Sequence, residues 1–276
     1  MTPIGFEEVK RLELDILSYF AEFCEKHNLQ YFLAYGTLIG AIRHKGFIPW
    51  DDDIDLQMPR DDYNRLIALF NENNTSPYRL IAPLDQESYY TIVKIVDTRT
   101  VKVEQGIKMD ALGIDIDIFA LDGTPSDEKT YKKWYGKLMH CYEQHFALQQ
   151  STQGLDVKSK VKLFLQKLQI LLEYGNLDKK KILKKAQKLH ELYPYNECEN
   201  VGIIECCFNG IKNRVSKSCF AKYIRVPFEC LELCIPMGYD ENLKTIYGDY
   251  MKLPPIEQQK THHENSAYWK NEEPIQ

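Results

Sequence analysis

Two short segments of this 276-residue chain alternate acidic and apolar residues with a period of two. The first is Asp53, Ile54, Asp55, Leu56, Gln57, Met58. The second runs from Gly113 to Phe119, with Ile114, Ile116 and Ile118 opposite Asp115 and Asp117. A period of two belongs to a β-strand, whose side chains point alternately to its two faces. Each segment therefore predicts a strand with one face for a core and one acidic face. On such a strand Asp53 and Asp55 project from the same side, roughly 6–7 Å apart along the backbone. Carboxylates so placed repel unless positive charge lies between them. Mg²⁺, with Mn²⁺ as the alternative ion, suits this role, because it favours oxygen ligands and binds through one or two carboxylates plus substrate phosphates. Asp117 is expected to close the same site from the neighbouring strand. Three carboxylates can hold one or two ions, and a pair of ions would stabilise both oxygens of a phosphoryl displacement. A solvated strand face at a sheet edge explains a bare Asp-x-Asp equally well. Trp50-Asp51-Asp52-Asp53 adds two carboxylates that are costly to crowd without a cation, and this favours the metal.

The residues before the first acidic segment fit the same chemistry. Tyr31 to Tyr35 predicts a short strand, Gly36-Thr37 a break and Leu38 to Arg43 a brief helix. A glycine at such a turn lets backbone approach a phosphate, and a helix N-terminus offers free N–H groups. The Thr37 hydroxyl is expected to donate to a phosphate oxygen; a plain turn glycine is the competing reading. Arg43 and His44 are expected to offset a diphosphate, with Lys45 facing solvent. Lys94 interrupts the apolar run Thr91-Ile92-Val93-Lys94-Ile95-Val96 and needs a carboxylate or phosphate partner there, which places it in the site.

Elsewhere the pattern predicts a helix over 6–24, opened by Thr2-Pro3, and another over 63–70. Strands are expected near 78–82, 89–96 and 100–103. Helices follow over 126–150, 158–174 and 178–192, then a mixed segment and a short helix from Tyr239 to Tyr247. The fold class is α+β: a mixed-sheet core over 1–125, flanked by helices, and a mainly helical region over 126–276 whose C-terminal end returns to the site. Residues 156–190 hold ten lysines against three acidic residues. The preferred reading is the solvated face of two helices, with Val161, Leu165, Leu168 and Leu172 on the buried side. Attraction to an anionic glycan or to the anionic inner leaflet is the alternative. A net charge of −5 gives no overall attraction to nucleic acid, so none is expected as a partner. Met1 to Lys10 lacks the basic start and apolar run of a signal peptide, and no stretch approaches the about 20 apolar residues of a membrane-spanning helix. A cytoplasmic protein is expected, at most in peripheral contact with a membrane. The cysteines Cys206, Cys207, Cys230 and Cys234 sit in apolar surroundings and are expected to be buried thiols rather than zinc ligands.

The block from Tyr35 to Asp55, YGTLIGAIRHKGFIPWDDDID, resembles the signature of the LicD family of phosphocholine transferases, related to the fukutin-type phosphotransferases. Val93-Lys94-Ile95 with Asp97 and Thr100, the stretch Ile116 to Gly123, and the stretch Tyr247 to Pro255 with His262 and His263 after it resemble the same family. The resemblance implies a nucleotidyltransferase-like fold and catalysis by metal-bound aspartates. It also implies a nucleotide-activated phospho-alcohol donor, of which CDP-choline is the usual example. Matched by position, Asp53 and Asp55 become the paired metal ligands and Asp117 the third acidic residue. His262 or His263 would stand near the donor phosphate, the alternative being an exposed pair in a polar tail. The expected reaction moves a phospho-alcohol from a CDP-linked donor to a hydroxyl of a cell-surface glycan, such as a lipopolysaccharide or teichoic acid, which can itself be lipid-linked, and releases CMP. Gly36, Thr37, Arg43, His44 and Lys94 join the two histidines as donor-binding residues. The rivals are a metal-dependent glycosyltransferase using a nucleotide sugar, a nucleotidyltransferase proper, and a non-catalytic module of the same fold.

Overall fold

The computed structural model describes residues 1–72, 74–85, 88, 90–104, 107–109, 112–150, 152, 156–205, 212–261 and 265–270. Its organising element is one ten-residue strand, β8 (Asp115–Thr124). Along one edge β8 pairs in parallel with β3 (Asp55–Pro59), which pairs in turn with the two-residue β2 (Phe32–Leu33). The other edge is shared. Its first half pairs antiparallel with β5 (Val93–Asp97), and its second half pairs antiparallel with β9 (Asn200–Ile203). β4 (Tyr78–Ile81) extends the sheet beyond β5, and β10 (Arg214–Ser216) extends it beyond β9. The result is a curled, mixed, seven-stranded sheet.

Alternation along β8 separates two cores. Ile116, Ile118 and Ala120 face α1 (Phe6–His27) and α3 (Arg60–Leu69), where Leu12, Ile16, Phe20 and Leu66 are buried. Phe119 and Leu121 point the other way, into a cluster with Phe32, Tyr35, Val201 and Ile203. Complete burial of a side chain such as Phe20 stabilises the fold by about 2–3 kcal/mol. α2 (Tyr35–His44) follows β2 with no break at Gly36-Thr37, because Tyr35 takes a left-handed φ of 42° and turns the chain straight into the helix.

The N-terminus departs from expectation. Thr2-Pro3 does not open α1; these residues form β1 (Thr2–Ile4), which pairs with β13 (Asn265–Trp269), and Gly5 is the N-cap. The reason is non-local, since β13 arrives from the other end of the chain. β13 also pairs with β6 (Thr100–Glu104), itself paired with β7 (Ile107–Met109), to give a four-stranded sheet.

Past residue 126 come α4 (Glu128–Gln149), α5 (Val157–Tyr174) and α6 (Lys179–His190). The carboxylates of Asp127, Asp156 and Asp178 accept the free N–H groups at their starts. Trp134 and Leu138 of α4, Leu163 and Ile170 of α5, and Ile182 of α6 form a third core. The assignment of Val161, Leu165, Leu168 and Leu172 to the buried side of α5 is overturned: all four are exposed. Both stripes of this helix are apolar, and the one that packs carries Leu163 and Ile170. The hairpin of β11 (Tyr223–Phe228) and β12 (Leu231–Pro236) turns through Glu229 and Cys230. That turn puts Cys230 at an exposed tip, against the expectation of burial; Cys234 is partly buried, and Cys206 and Cys207 lie outside the described residues. α7 (Tyr239–Tyr247) falls where the pattern predicts it.

Candidate active site

The register of the central sheet sets three charged residues in one row. Asp55 on β3 is directly opposite Asp117 on β8, and Asp117 is directly opposite Lys94 on β5. The Lys94 ammonium donates to Asp117 Oδ1 and, at 2.5 Å, to Asp115 Oδ2. Lys102 of β6 donates to the other Asp115 oxygen at 2.8 Å. The two aspartates of β8 therefore differ in kind. Asp115 is closed off between two lysines, its side chain 3% exposed, whereas the Asp117 carboxyl keeps 24% of its surface open.

Burial alone would raise the Asp115 carboxyl, but Lys102 and Lys94 outweigh it and hold it well below the usual range. For Asp117 burial wins over Lys94, with Asp115 adding to the rise, and the carboxyl is pushed up to about 6. Burial also pushes Asp55 well above its ordinary value, helped by the charges of Asp53, Asp117 and Asp51 and offset by Lys94. β3 begins at Asp55, so Asp53 lies in the approach loop rather than on the strand, close enough to act on the Asp55 charge.

The start of α2 is tied to this row. The Asp55 N–H donates to Thr37 Oγ1 at 2.8 Å, and Ala34 N–H donates to the Asp55 carbonyl at 2.9 Å. Thr37 is buried, and its oxygen serves the acidic strand. A Cβ on Gly36 would lie 2.5 Å from Asp51 Oδ2, so the glycine makes room for that carboxylate. Arg43 and His44 sit at the opposite end of α2. Arg43 donates to His44 Nε2 at 2.9 Å and to the Tyr250 carbonyl at 2.9 Å, which ties the 247–255 stretch to α2. His44 packs edge-to-face on Trp50, the residue before Asp51, with ring centres 6.4 Å apart. His262 and His263 lie outside the described residues.

Three charged residues beside the row were given no site role from the sequence. Asp115 is the next acidic residue of the same alternation, whereas Lys102 sits at an ordinary polar position of the alternating β6, Thr-Val-Lys-Val-Glu, and gave no signal. Glu13 lies on the buried stripe of α1 with Leu12 and Ile16. Burial and the charges of Asp53, Asp115 and Asp52 push its carboxyl well up against the pull of Lys102. A lone glutamate on the apolar face of a predicted helix was the available signal.

A second buried network lies elsewhere. Asp122 follows Asp117 by five residues on β8, hence on the opposite face and about 16 Å further along the strand. Arg60 bridges both Asp122 oxygens at 2.7 Å and Glu205 at 2.9 Å. His190 Nδ1 is 2.8 Å from Asp122, and Tyr142 meets His190 Nε2 at 2.7 Å. The group borders a cavity of about 510 Å³. Ligand atoms of Asp122, His190 and Glu205 lie within 4.8 Å of one another. The guanidinium already joins the two carboxylates, so an ion there would have to compete with Arg60. In the central row Lys94 donates to Asp117 and acts on Asp55 through its charge.

Residues 28–154 match the family model described as "LicD/FKTN/FKRP, nucleotidyltransferase domain". The lipopolysaccharide cholinephosphotransferase LicD of Haemophilus influenzae (strain ATCC 51907 / DSM 11121 / KW20 / Rd) is 33% identical over 279 residues, covering 97% of this chain and 99% of the relative. An uncharacterized protein of Rickettsia prowazekii (strain Madrid E) is 46% identical over 41 residues, 15% of each chain. A family signature across the acidic row, joined to similarity over nearly the whole length of a LicD protein, places this chain in the LicD family.

Proposed function

We propose that this protein transfers phosphocholine from CDP-choline to a hydroxyl of a cell-surface glycan, with lipopolysaccharide as the first candidate, and releases CMP. The observation that carries the proposal is the Asp55–Asp117–Lys94 row, in a chain collinear with a relative named as a lipopolysaccharide cholinephosphotransferase. We read residues 1–125 as a nucleotidyltransferase-like catalytic core and 126–276 as the part that shapes the acceptor side, working in the cytoplasm.

The donor set suits a hard divalent cation such as Mg²⁺. Asp53, Asp55 and Asp117 offer only oxygen ligands, and their charges add to burial in pushing the Asp55 carboxyl up. When bound there, the ion would offset negative charge on the diphosphate and on the transferring group. The chain's own residues do the rest. The Asp55 N–H holds the Thr37 oxygen, which leaves the hydroxyl proton of Thr37 for a donor phosphate. Lys94 fixes Oδ1 of Asp117, whose side chain stays 24% exposed. Asp117, whose carboxyl burial raises in the ion-free site, is the residue placed to take the acceptor's hydroxyl proton. The acceptor oxygen then bonds to the phosphorus that carries choline. The bond from that phosphorus to the bridging oxygen breaks, and the electron pair leaves with CMP. Positioning and electrostatics supply most of the acceleration in such transfers.

The test is incubation of the purified protein with Mg²⁺, CDP-choline and lipopolysaccharide, following CMP and glycan-bound phosphocholine together. Both should appear in equal amounts, and Asp53→Asn should lower turnover by about 10³-fold or more with the fold intact. Release of pyrophosphate or of a nucleoside diphosphate would refute the reading.

A further inference from the structure

α5 packs on the third core through one narrow stripe, Leu163 and Ile170. Its opposite side is apolar and faces outward. Besides Val161, Leu165, Leu168 and Leu172, that side carries Val157, Phe164 and Leu171; Val157 is 78% exposed, Phe164 65% and Leu172 80%. At 100° per residue these side chains fill one arc of about 120°, centred about 150° round the helix from Leu163 and Ile170, and the stripe runs about 23 Å. Lysines border the arc on both sides, Lys158 and Lys162 along one margin, Lys160 and Lys167 along the other. Between Val157 and Leu172 there is no acidic residue.

We infer that α5 is an in-plane membrane-binding helix that lays this stripe into the surface of an anionic lipid bilayer. The occupant follows from shape and charge. The stripe projects from the outer side of a surface helix, so a yielding surface can cover all of it at once. Lysines on both margins can lie along the headgroup plane while their methylene stems stay with the apolar arc. A second copy of the chain would set lysine margins against lysine margins with no acid in the stripe to relieve them. The inference goes beyond the transfer chemistry and does not depend on it: it concerns where the protein resides.

The experiment is co-sedimentation of the whole protein with vesicles of phosphatidylethanolamine and phosphatidylglycerol, beside vesicles of phosphatidylcholine alone. The anionic vesicles should bind the protein and the neutral ones should bind it far less, with binding falling as salt screens the lysines. Phe164→Ser with Leu172→Ser should weaken binding about tenfold or more, and Lys160→Glu with Lys162→Glu should weaken it similarly on anionic vesicles only. These side chains are exposed, so circular dichroism should show the native fold in both variants. Equal binding by the serine variant, or no binding by the native protein, overturns the inference. So does a dimer in sedimentation velocity that the serine variant abolishes, which would assign the face to a second copy. CMP release from a soluble acceptor is a separate readout, so a failure of vesicle binding and a failure of the transferase reading are told apart.

Discussion

Asp115 and Asp117 stand two residues apart on one strand, yet the lysines around them make them different groups. Lys94→Met should remove the ammonium from both and cost about 3–5 kcal/mol in a denaturant melt, because buried carboxylates would be left unpaired. Asp117 also predicts a pH effect with a definite sign. Its folded value is about 6 and its ordinary value 3.8, so between these limits the folded state holds more protons than the unfolded one. Stability drawn from this group is present at low pH and is lost as pH rises through about 6. In ion-free buffer the native protein should therefore lose more thermal stability than Asp117→Asn between pH 5 and pH 7, as read by calorimetry. Mg²⁺ should reverse that loss at pH 7 in the native protein and not in the variant; identical pH profiles would remove Asp117 from this account. Thr37→Val should leave the buried Asp55 N–H without its acceptor, which costs about 1–3 kcal/mol and weakens Mg²⁺ binding by calorimetric titration.

Among the elements, β8 carries most of the design. Asp117, Phe119 and Leu121 lie on one face, Ile116, Ile118 and Asp122 on the other, so a single strand serves the acidic row, two cores and the Arg60 network. Much of this was legible. Period-two alternation marked the strands around Asp55 and Asp117, and helical spacing marked α1, α4, α5, α6 and α7 close to their observed limits. Lys94 declared a partner by interrupting an apolar run. What escaped was short or distant in sequence. β1 is three residues long and exists through β13, and β9 gains its pairing from β8, some 80 residues earlier, before β10 can add to it. Arg43 and His44 read as donor-binding because they neighbour the acidic loop in sequence. The structure puts them at the C-terminal end of α2, where Arg43 holds Tyr250 and His44 packs against Trp50.

For the whole molecule, the shared edge of β8 has a consequence for dissection. Residues 1–125 contain every member of the acidic row but not β9, which completes the second half of that edge and covers Phe119 and Leu121 with Val201 and Ile203. Expressed alone, residues 1–125 should bare an unpaired edge and an apolar face, and should aggregate in size-exclusion chromatography rather than elute as a folded monomer. A stable, cooperatively melting fragment would show that the later strands only decorate the core.

Local patterning by itself determined the kinds of element, the acidic face and, through one long block from Tyr35 to Asp55, the family. Tertiary structure alone decided which of two aspartates on β8 is sealed and which stays open, and which apolar stripe of α5 goes inward. Periodicity records what a residue can do on a strand or helix, because it depends on neighbours a few positions away. Burial and ionisation depend on groups that arrive from anywhere in the chain: Lys94 and Lys102 around Asp115, and Trp134 and Leu138 of α4 in the core that receives Leu163 and Ile170.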